Sequence, residues 1–299
     1  MSSILIIGSL QLGLLYAIMA MGIYTTFRIL NVPDLTVDGS FTLGMACGAV
    51  ITVNGHPLLA LFAAMAVGAG AGYVTGVLQT KVGIHPILSG ILVMTGLYTV
   101  NLAVMGEKAN ISLVGSRTLF MKAEELISSS PGWGKTLLAF LVCMIIFLLL
   151  TVFYKTRLGL AIRATGDNED MVRSSSINAS FTKCVGLAVG NACVALSGAL
   201  MSQYQMNSDV NFGIGMVVIG LASVIIGETF LGRRSITLGL LSAILGSVVY
   251  RMIVAYALSK NIFPPYALRL VSAVIVAVAL SIPTVAVNIR QSRIRRGGK

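Results

Sequence analysis

The stretch Ile4–Phe27, which reads ILIIGSLQLGLLYAIMAMGIYTTF, contains no charged side chain. A helix needs roughly 20 apolar residues to cross the hydrocarbon core of a bilayer. This run has that length, so it predicts a membrane-spanning helix rather than a helix in a soluble core. No basic residue precedes it, and it is longer than the apolar part of a secretory signal, so we expect it to be retained in the mature protein.

The composition extends this prediction to the whole chain. Of the 299 residues, 56% are hydrophobic and only 10% are charged, whereas a soluble domain has about 25% charged residues. The mean hydropathy is +0.91. A soluble protein of this composition would have too few polar side chains to cover its surface. We therefore expect an integral membrane protein, with residues 1–299 forming a single transmembrane domain.

Further apolar runs predict an all-α polytopic membrane protein with about nine transmembrane or re-entrant helices. The predicted bounds are Ile4–Phe27, Asn31–Val53, Leu58–Thr80, Pro86–Gly106, Thr136–Tyr154, Cys184–Met206, Ile214–Gly232, Ser235–Leu258 and Tyr266–Ile289. The second run opens with a proline and three polar residues, Asn31, Asp34 and Asp38. Its first part is therefore predicted to be broken or re-entrant and to be buried by its neighbours.

The basic residues predict the orientation. When nine crossings are threaded, most of the 21 Lys and Arg residues fall on the side of the C-terminus, and cytoplasmic loops of membrane proteins carry such an excess. The N-terminus is therefore predicted outside and the C-terminus inside. This places the loop 155–183 in the cytoplasm and the loop 107–135 outside. The same rule accounts for the formal net charge of +11, so no nucleic-acid partner is expected.

Motifs for catalysis or metal binding are absent from the sequence. The four cysteines form no C-x-x-C pair and lie in or beside apolar runs, as small buried side chains do. His56 and His85 each precede a proline in a short turn, so no metal site is expected. The internal pair Gly134-Lys135 is not part of a nucleotide-binding loop, because Ser129 stands where such a loop needs its first glycine. We therefore expect a chain that is not an enzyme and binds no cofactor itself.

Polar residues inside the predicted crossings are candidates for a solute path. A charged group at a helix centre costs about 2.5–3.5 kcal/mol on insertion scales, so each one needs an explanation. The structural alternatives are helix capping for the aspartates, interhelical hydrogen bonds for the uncharged groups, and an ion pair or a snorkelling side chain for the arginine. Glu228 is interpreted instead as a partner of the nearby Arg233 and Arg234. The path candidates are Asp34, Asp38, Tyr98, Asn101, Asn191, Gln203 and Arg251.

The loop 155–183 begins KTRLGLAIRATGDNEDMVRSSSIN. Gly166 is predicted to break one helix, and Asp167 or Asn168 to cap the next, whose acidic first turn suits the positive end of a helix. A short amphipathic helix with nothing of its own chain to cover is typical of a docking element, although it could also lie on the lipid surface. The candidate docking residues are Arg163, Gly166, Asp167, Asn168, Glu169, Asp170, Met171 and Arg173.

Three stretches carry a resemblance to a known family. They are the segment from Thr156–Asp167 through Gly198–Leu200, the pair Gly13–Gly22 and Val32–Gly44, and the glycine-rich Ile219–Gly232. Together they resemble the permeases of the branched-chain amino acid and ribose ABC importers, over most of the chain. The sequence departs from the branched-chain members at Glu228, where they usually have glycine. The stretch DLTVDG at 34–39 looks closest to a sublineage assigned to tryptophan or tyrosine uptake.

The resemblance implies a permease subunit in the plasma (inner) membrane of a prokaryote, which moves a small solute, an amino acid, inward. It also implies a second copy of the permease, two ATPase subunits that bind ATP and Mg, and an extracytoplasmic solute-binding protein. The loop 155–183 would then be the coupling loop to the ATPase. Two other readings remain open: an ion-coupled secondary transporter or channel, for which Asp34 and Asp38 are the only candidate ion ligands, and a membrane scaffold without transport.

Overall fold

The structure is a computed structural model that describes residues 3–126, 132–232 and 235–259, together with residues 273, 274 and 277. The last predicted crossing, Tyr266–Ile289, thus lies almost wholly outside the described residues. The described elements are α1 (Ser3–Tyr24), a π-helical turn (Thr25–Ile29), α2 (Thr36–Val53), α3 (Pro57–Thr80), α4 (Pro86–Val104), β1 (Asn110–Ser112), α5 (Leu119–Leu126), α6 (Trp133–Phe153), α7 (Arg157–Asp167), α8 (Glu169–Ser174), α9 (Ala179–Gln205), β2 (Asn207–Asp209), α10 (Met216–Leu231) and α11 (Ile236–Ser259).

The helices confirm an all-α polytopic membrane protein. Within the described residues, 7 helices are long and apolar enough to cross a membrane, namely α1 with its π-helical turn, α2, α3, α4, α6, α9 and α11. The predicted crossing Ile214–Gly232 is shorter than expected, because α10 has only 16 residues. The predicted break at the start of the second crossing is also present, since residues 30–35 are not helical. The total number of crossings and the orientation stay predictions.

Two antiparallel helices, α1 and α9, form the centre of the bundle. The α1 residues from Leu15 to Met21 are at most 1% exposed, because α6, α9, α10 and α11 all pack against this helix. The direction of the pair follows from its contacts: Gly22 packs on the backbone of Gly190, and the Ser197 hydroxyl donates to the Leu15 carbonyl at 2.7 Å. Residues further along α9 thus meet residues nearer the start of α1.

Glycines bring α3 against α9. Gly68, Gly72 and Gly76 recur at every fourth position and form one face of α3, and a Cβ at any of them would overlap backbone atoms of α9. At Gly72 the overlapped atom is the carbonyl oxygen of Leu187. Between membrane helices there is no hydrophobic drive to associate, so small residues that permit close backbone contact stabilise the packing.

The bundle contains two similar units of opposite direction, α1–α3 and α9–α11. In each unit the first helix is followed by a non-helical segment, 30–35 or 206–215, before the second helix begins. The third helix of each unit packs along the first helix of the other, α3 along α9 and α11 along α1. Inverted repeats with interrupted helices are common in transporters, whose solute sites lie between the repeats.

The connecting segments gather at two ends of the bundle. At one, the sheet end, β1 pairs with β2 in antiparallel register, with Ile111 opposite Ser208, and α5 packs on α6 and α9. At the other, the α7–α8 end, the Thr165 hydroxyl of α7 lies 2.7 Å from that of Thr182 in α9. The predicted outer loop and the predicted coupling loop therefore lie at opposite ends of the molecule.

We expect Gly72→Ala to destabilise the protein by about 1–3 kcal/mol, because the new methyl group overpacks the contact between α3 and α9. Gly70→Ala is the matched control, since nothing lies within 4 Å of a Cβ there. Alanine favours the helix more than glycine does, so this control should melt no lower than the wild type. The measurement is thermal unfolding in detergent, followed by reaction of a thiol dye with the buried cysteines. Equal melting temperatures for the two variants would contradict the packing described here.

Candidate functional site

The predicted coupling segment forms two short helices joined by one capping residue. Thr156 caps α7 by accepting a hydrogen bond from the Gly159 N–H at 3.3 Å. Asn168 lies between the helices and caps α8, since its side chain accepts from the Met171 N–H at 3.0 Å. Of the two caps considered from the sequence, Asn168 is therefore the one used. The prediction that Gly166 breaks the first helix is wrong, because α7 continues through it to Asp167.

Gly166 is needed for contact rather than for a turn. A Cβ at this position would overlap the carbonyl oxygen of Ile29, at the end of the π-helical turn, and would crowd Leu30. From the other side, Gly186 of α9 packs against the Leu30 side chain and Ile162 of α7. The chain at 29–30 is thus packed directly between α7 and α9.

Glu169 fastens α8 to α9. Its carboxylate accepts hydrogen bonds from the Lys183 ammonium and from the Arg173 guanidinium at 2.7 Å. Partial burial acts to raise the pKa of Glu169, but the hydrogen bonds and charges of Lys183 and Arg173 outweigh it and lower the pKa. Glu169 is therefore ionised at neutral pH. Arg173, which was expected to pair with a partner protein, is already paired within its own helix.

The remaining predicted docking residues face away from the bundle. Arg163, Asp167 and Asp170 are exposed, and Met171 is 68% exposed, while its neighbour Val172 is buried against the bundle. Further exposed apolar side chains surround them on the same segment: Leu158, Leu160, Ile177 and Phe181. The segment thus presents a mixed apolar and charged surface that no other described part of the chain covers.

Asp34 stabilises the non-helical segment between the π-helical turn and α2. It is 5% exposed; one carboxylate oxygen accepts from the Thr36 N–H at 2.9 Å and the other from the Asn191 side chain at 2.6 Å. The Thr36 hydroxyl in turn lies 2.7 Å from that of Thr75. Asp34 and Asn191, both predicted path residues, are therefore brought together, and they link the break to α9.

Asp38 caps a different helix from its own. Its carboxylate accepts hydrogen bonds from the N–H groups of Gly215 at 2.9 Å and Val217 at 2.8 Å, at the start of α10. A carboxylate there satisfies free backbone donors and opposes the positive end of the helix. Asp34 and Asp38 do not share a helix face, because α2 begins only at Thr36. At Asp38 the structure therefore has a helix cap, which was the structural alternative in the sequence.

Three other path candidates have mainly structural surroundings. Asn101 is buried and donates to the Gly39 carbonyl at 3.3 Å, joining α4 to α2. Gln203 donates to the Pro57 carbonyl at 2.9 Å and accepts from the Leu119 N–H at 3.1 Å, which fixes the sheet end. Tyr98 is 50% exposed on α4, so it does not lie in the interior of the bundle formed by the described residues.

An ion pair joins the two units at the α7–α8 end. The Arg28 guanidinium lies 2.5 Å from the Glu228 carboxylate, whose side chain is only 4% exposed. The sequence suggested Arg233 and Arg234 as partners, and these two residues lie outside the described ranges. Arg28 could not be found from the pattern, because it is 200 positions away along the chain. It immediately precedes Ile29, the residue that α7 contacts.

Arg251 lies over an aromatic ring. Its guanidinium carbon is 4.0 Å from the centroid of the Tyr16 ring. Tyr16 stacks on Phe41 at 6.2 Å, and Phe41 stacks on Phe212 at 6.1 Å. The four groups come from α11, α1, α2 and the segment before α10. The sequence singled out only the arginine, because aromatic residues in an apolar run do not reveal which side of the helix they occupy.

Fold and site together define a helical membrane protein with an exposed amphipathic segment at one end of the bundle. The family model described as "Branched-chain amino acid transport system / permease component" matches residues 5–280. A tyrosine transport system permease protein of Clostridioides difficile is 36% identical over 288 residues, which is 96% of this chain and 94% of that protein. A ribose import permease protein of Escherichia coli is 27% identical over 72% of this chain and 66% of its own length. No solved structure gives a significant match.

The chain therefore belongs to the branched-chain amino acid transport permease family. It is a permease subunit of an ATP-binding-cassette importer and a multi-pass protein of the bacterial inner membrane. A permease of this kind works with ATPase subunits and a solute-binding protein.

We expect the Arg28–Glu228 pair to be strongly coupled, because removing one partner leaves a charge in a largely buried position. A double-mutant cycle of Arg28→Met and Glu228→Gln should give a coupling energy of about 1–3 kcal/mol. The matched control is Glu124 with Lys135, a pair at 2.9 Å whose side chains are 35% and 36% exposed; its coupling should stay below about 1 kcal/mol. The measurement is thermal stability in detergent. Additive losses at Arg28 and Glu228 would show that the ion pair is not a structural link.

Proposed function

We propose that this permease imports an aromatic amino acid, with tyrosine as the first candidate. The support is the tyrosine transport permease of Clostridioides difficile, which is 36% identical over nearly the full length of both chains. The sugar permeases are less similar, with 27% identity for ribose and 24% for fructose in Bifidobacterium longum. In the proposed assembly two copies of the chain pair, two ATPase subunits bind ATP and Mg, and a solute-binding protein delivers the amino acid.

The observation that carries the coupling mechanism is the contact of Gly166 with the Ile29 carbonyl. We propose that α7 and α8 dock on the ATPase through their exposed face, with Arg163, Asp167, Asp170 and Met171 at the contact. Because α7 packs directly on residues 29–30, a movement of the ATPase is transmitted to the break between α1 and α2. The loop 155–183 then acts as the coupling loop.

From the break, two polar contacts carry the movement further. Arg28 holds the end of α10 through Glu228, and Asp34 holds the middle of α9 through Asn191. Both target helices belong to the second unit. A displacement of residues 28–34 therefore changes how the two units meet, which is the change that alternating access requires. We propose that the solute passes between these units.

The proposed orientation follows from the basic loops. The α7–α8 end lies in the cytoplasm, where the ATPase is, since Lys and Arg accumulate there. The sheet end then lies outside and meets the solute-binding protein. The pair of short strands joins two outer segments into one surface at this end.

The proposed solute is tested with the complete importer in proteoliposomes, with its ATPase and solute-binding protein. We expect radiolabelled tyrosine to accumulate only when ATP is present, and we expect no accumulation of ribose. Titration of the isolated binding protein with tyrosine and ribose checks the specificity of delivery. ATP-driven uptake of ribose without uptake of any amino acid would reject the proposal.

We expect Gly166→Ala to uncouple the importer, because the added methyl group pushes α7 away from the Ile29 carbonyl. Ala164→Ser is the matched control, as it adds one heavy atom to an exposed position of the same helix. In the reconstituted complex, Gly166→Ala should lose most tyrosine-stimulated ATPase activity while the ATPase still co-purifies. The control should keep both properties. If Gly166→Ala retains full stimulation and uptake, the contact with Ile29 does not transmit the movement.

A further inference from the structure

Arg251 carries a positive charge that no acidic side chain of the described residues neutralises. All ten acidic residues of the sequence lie within the described ranges, and none of them forms an ion pair with Arg251. The Nε atom is buried and has no hydrogen-bond partner among the described residues. An unpaired guanidinium within a membrane protein is unfavourable and is normally retained for a function.

The side chain does not snorkel to the nearer membrane edge. On α11, the Ser247 hydroxyl donates to the Gly13 carbonyl of α1 at 2.8 Å. The two helices are antiparallel, so the backbone of Arg251, one turn further along α11, lies nearer the start of α1 than Gly13 does. Its guanidinium nevertheless reaches back to Tyr16, which is near the middle of the Leu5–Ile29 span. Its charge is therefore directed into the bundle, between the first and second units.

A row of aromatic rings adjoins the guanidinium. The rings of Tyr16, Phe41 and Phe212 continue the stack from the guanidinium, and Arg251 and Phe212 at its two ends are partly exposed. The guanidinium lies over the Tyr16 ring, and the planar group of an arginine can bind a carboxylate in a bidentate arrangement.

We infer that Arg251 binds the carboxylate of the amino acid as it passes through the permease, beside the aromatic stack formed by Tyr16, Phe41 and Phe212. This inference rests on the proposed function, because it assumes that the solute is an amino acid. The site lies between α11 and α1, at a boundary of the two units, so the movement that separates the units would also open it. A carboxylate bound there neutralises the charge that the chain leaves unpaired.

The test compares Arg251→Gln and Arg251→Lys with Met252→Gln, which places the same amide at an exposed neighbouring position of α11. In the reconstituted importer, Arg251→Gln should lower the tyrosine uptake rate by at least about 10-fold, as expected for loss of hydrogen bonds to a charged group. Arg251→Lys should retain an intermediate rate, since lysine keeps the positive charge but lacks the paired N–H donors of the guanidinium. Met252→Gln should transport like the wild type.

A second readout tests recognition of the carboxylate directly. Tyrosine should raise the melting temperature of the purified wild-type permease, tyramine, which lacks the carboxylate, should not, and Arg251→Gln should lose the response to tyrosine. Equal uptake by wild type and Arg251→Gln would overturn the inference, as would a defect that appears only in liposomes with anionic lipids, which would assign Arg251 to lipid phosphate. If the wild type transports no amino acid at all, the proposed function fails instead.

Discussion

A polypeptide that leaves the helix inside a membrane bundle must satisfy the backbone donors it frees, because no water is available there. Among the described residues, the chain does so at 30–35 and at 206–215, and an aspartate acts at each. Asp34 accepts from the N–H of Thr36, the first residue of α2. Asp38 accepts from Gly215 and Val217 across the bundle. The second unit therefore begins its short helix only where the first unit provides a cap, and the two units depend on each other at this contact.

The same breaks are the basis of the proposed coupling between the α7–α8 end and the membrane helices. A continuous helix is stiff, whereas an interrupted helix can change its direction at the break. Gly166 of α7 contacts the first break at Ile29, and Arg28, one residue earlier, is paired with α10 through Glu228. The helix α7, the break at residues 30–35 and the second unit are thus joined by direct contacts. The close glycine packing of α3 on α9 supplies the rigid frame against which such a movement occurs.

The sequence predicted the parts of this account that depend on local pattern. Apolar runs of membrane length predicted the helices, the polar start of the second run predicted the break before α2, and Asn168 was one of two expected caps. Sequence patterns did not predict contacts whose partner lies far away along the chain. Gly166 seemed to end a helix, but its partner is a carbonyl of another element; for Glu228, no local pattern points to Arg28, which is 200 positions away. Tyr98 and the rings around Arg251 show the same limit, since an aromatic residue in an all-apolar helix does not indicate which face is buried.

The central claim is that α7 and the break between α1 and α2 move as one body when the ATPase binds ATP. Spin labels at Ala164 and Pro33, both exposed, report the distance between α7 and the break, and a pair at Pro33 and Asn54 reports the break against the sheet end. The measurement is made on the complete importer, without the four native cysteines, in nucleotide-free and ATP-trapped states. The account predicts an unchanged distance between 164 and 33 and a changed distance between 33 and 54. A change in the first distance with none in the second would contradict it.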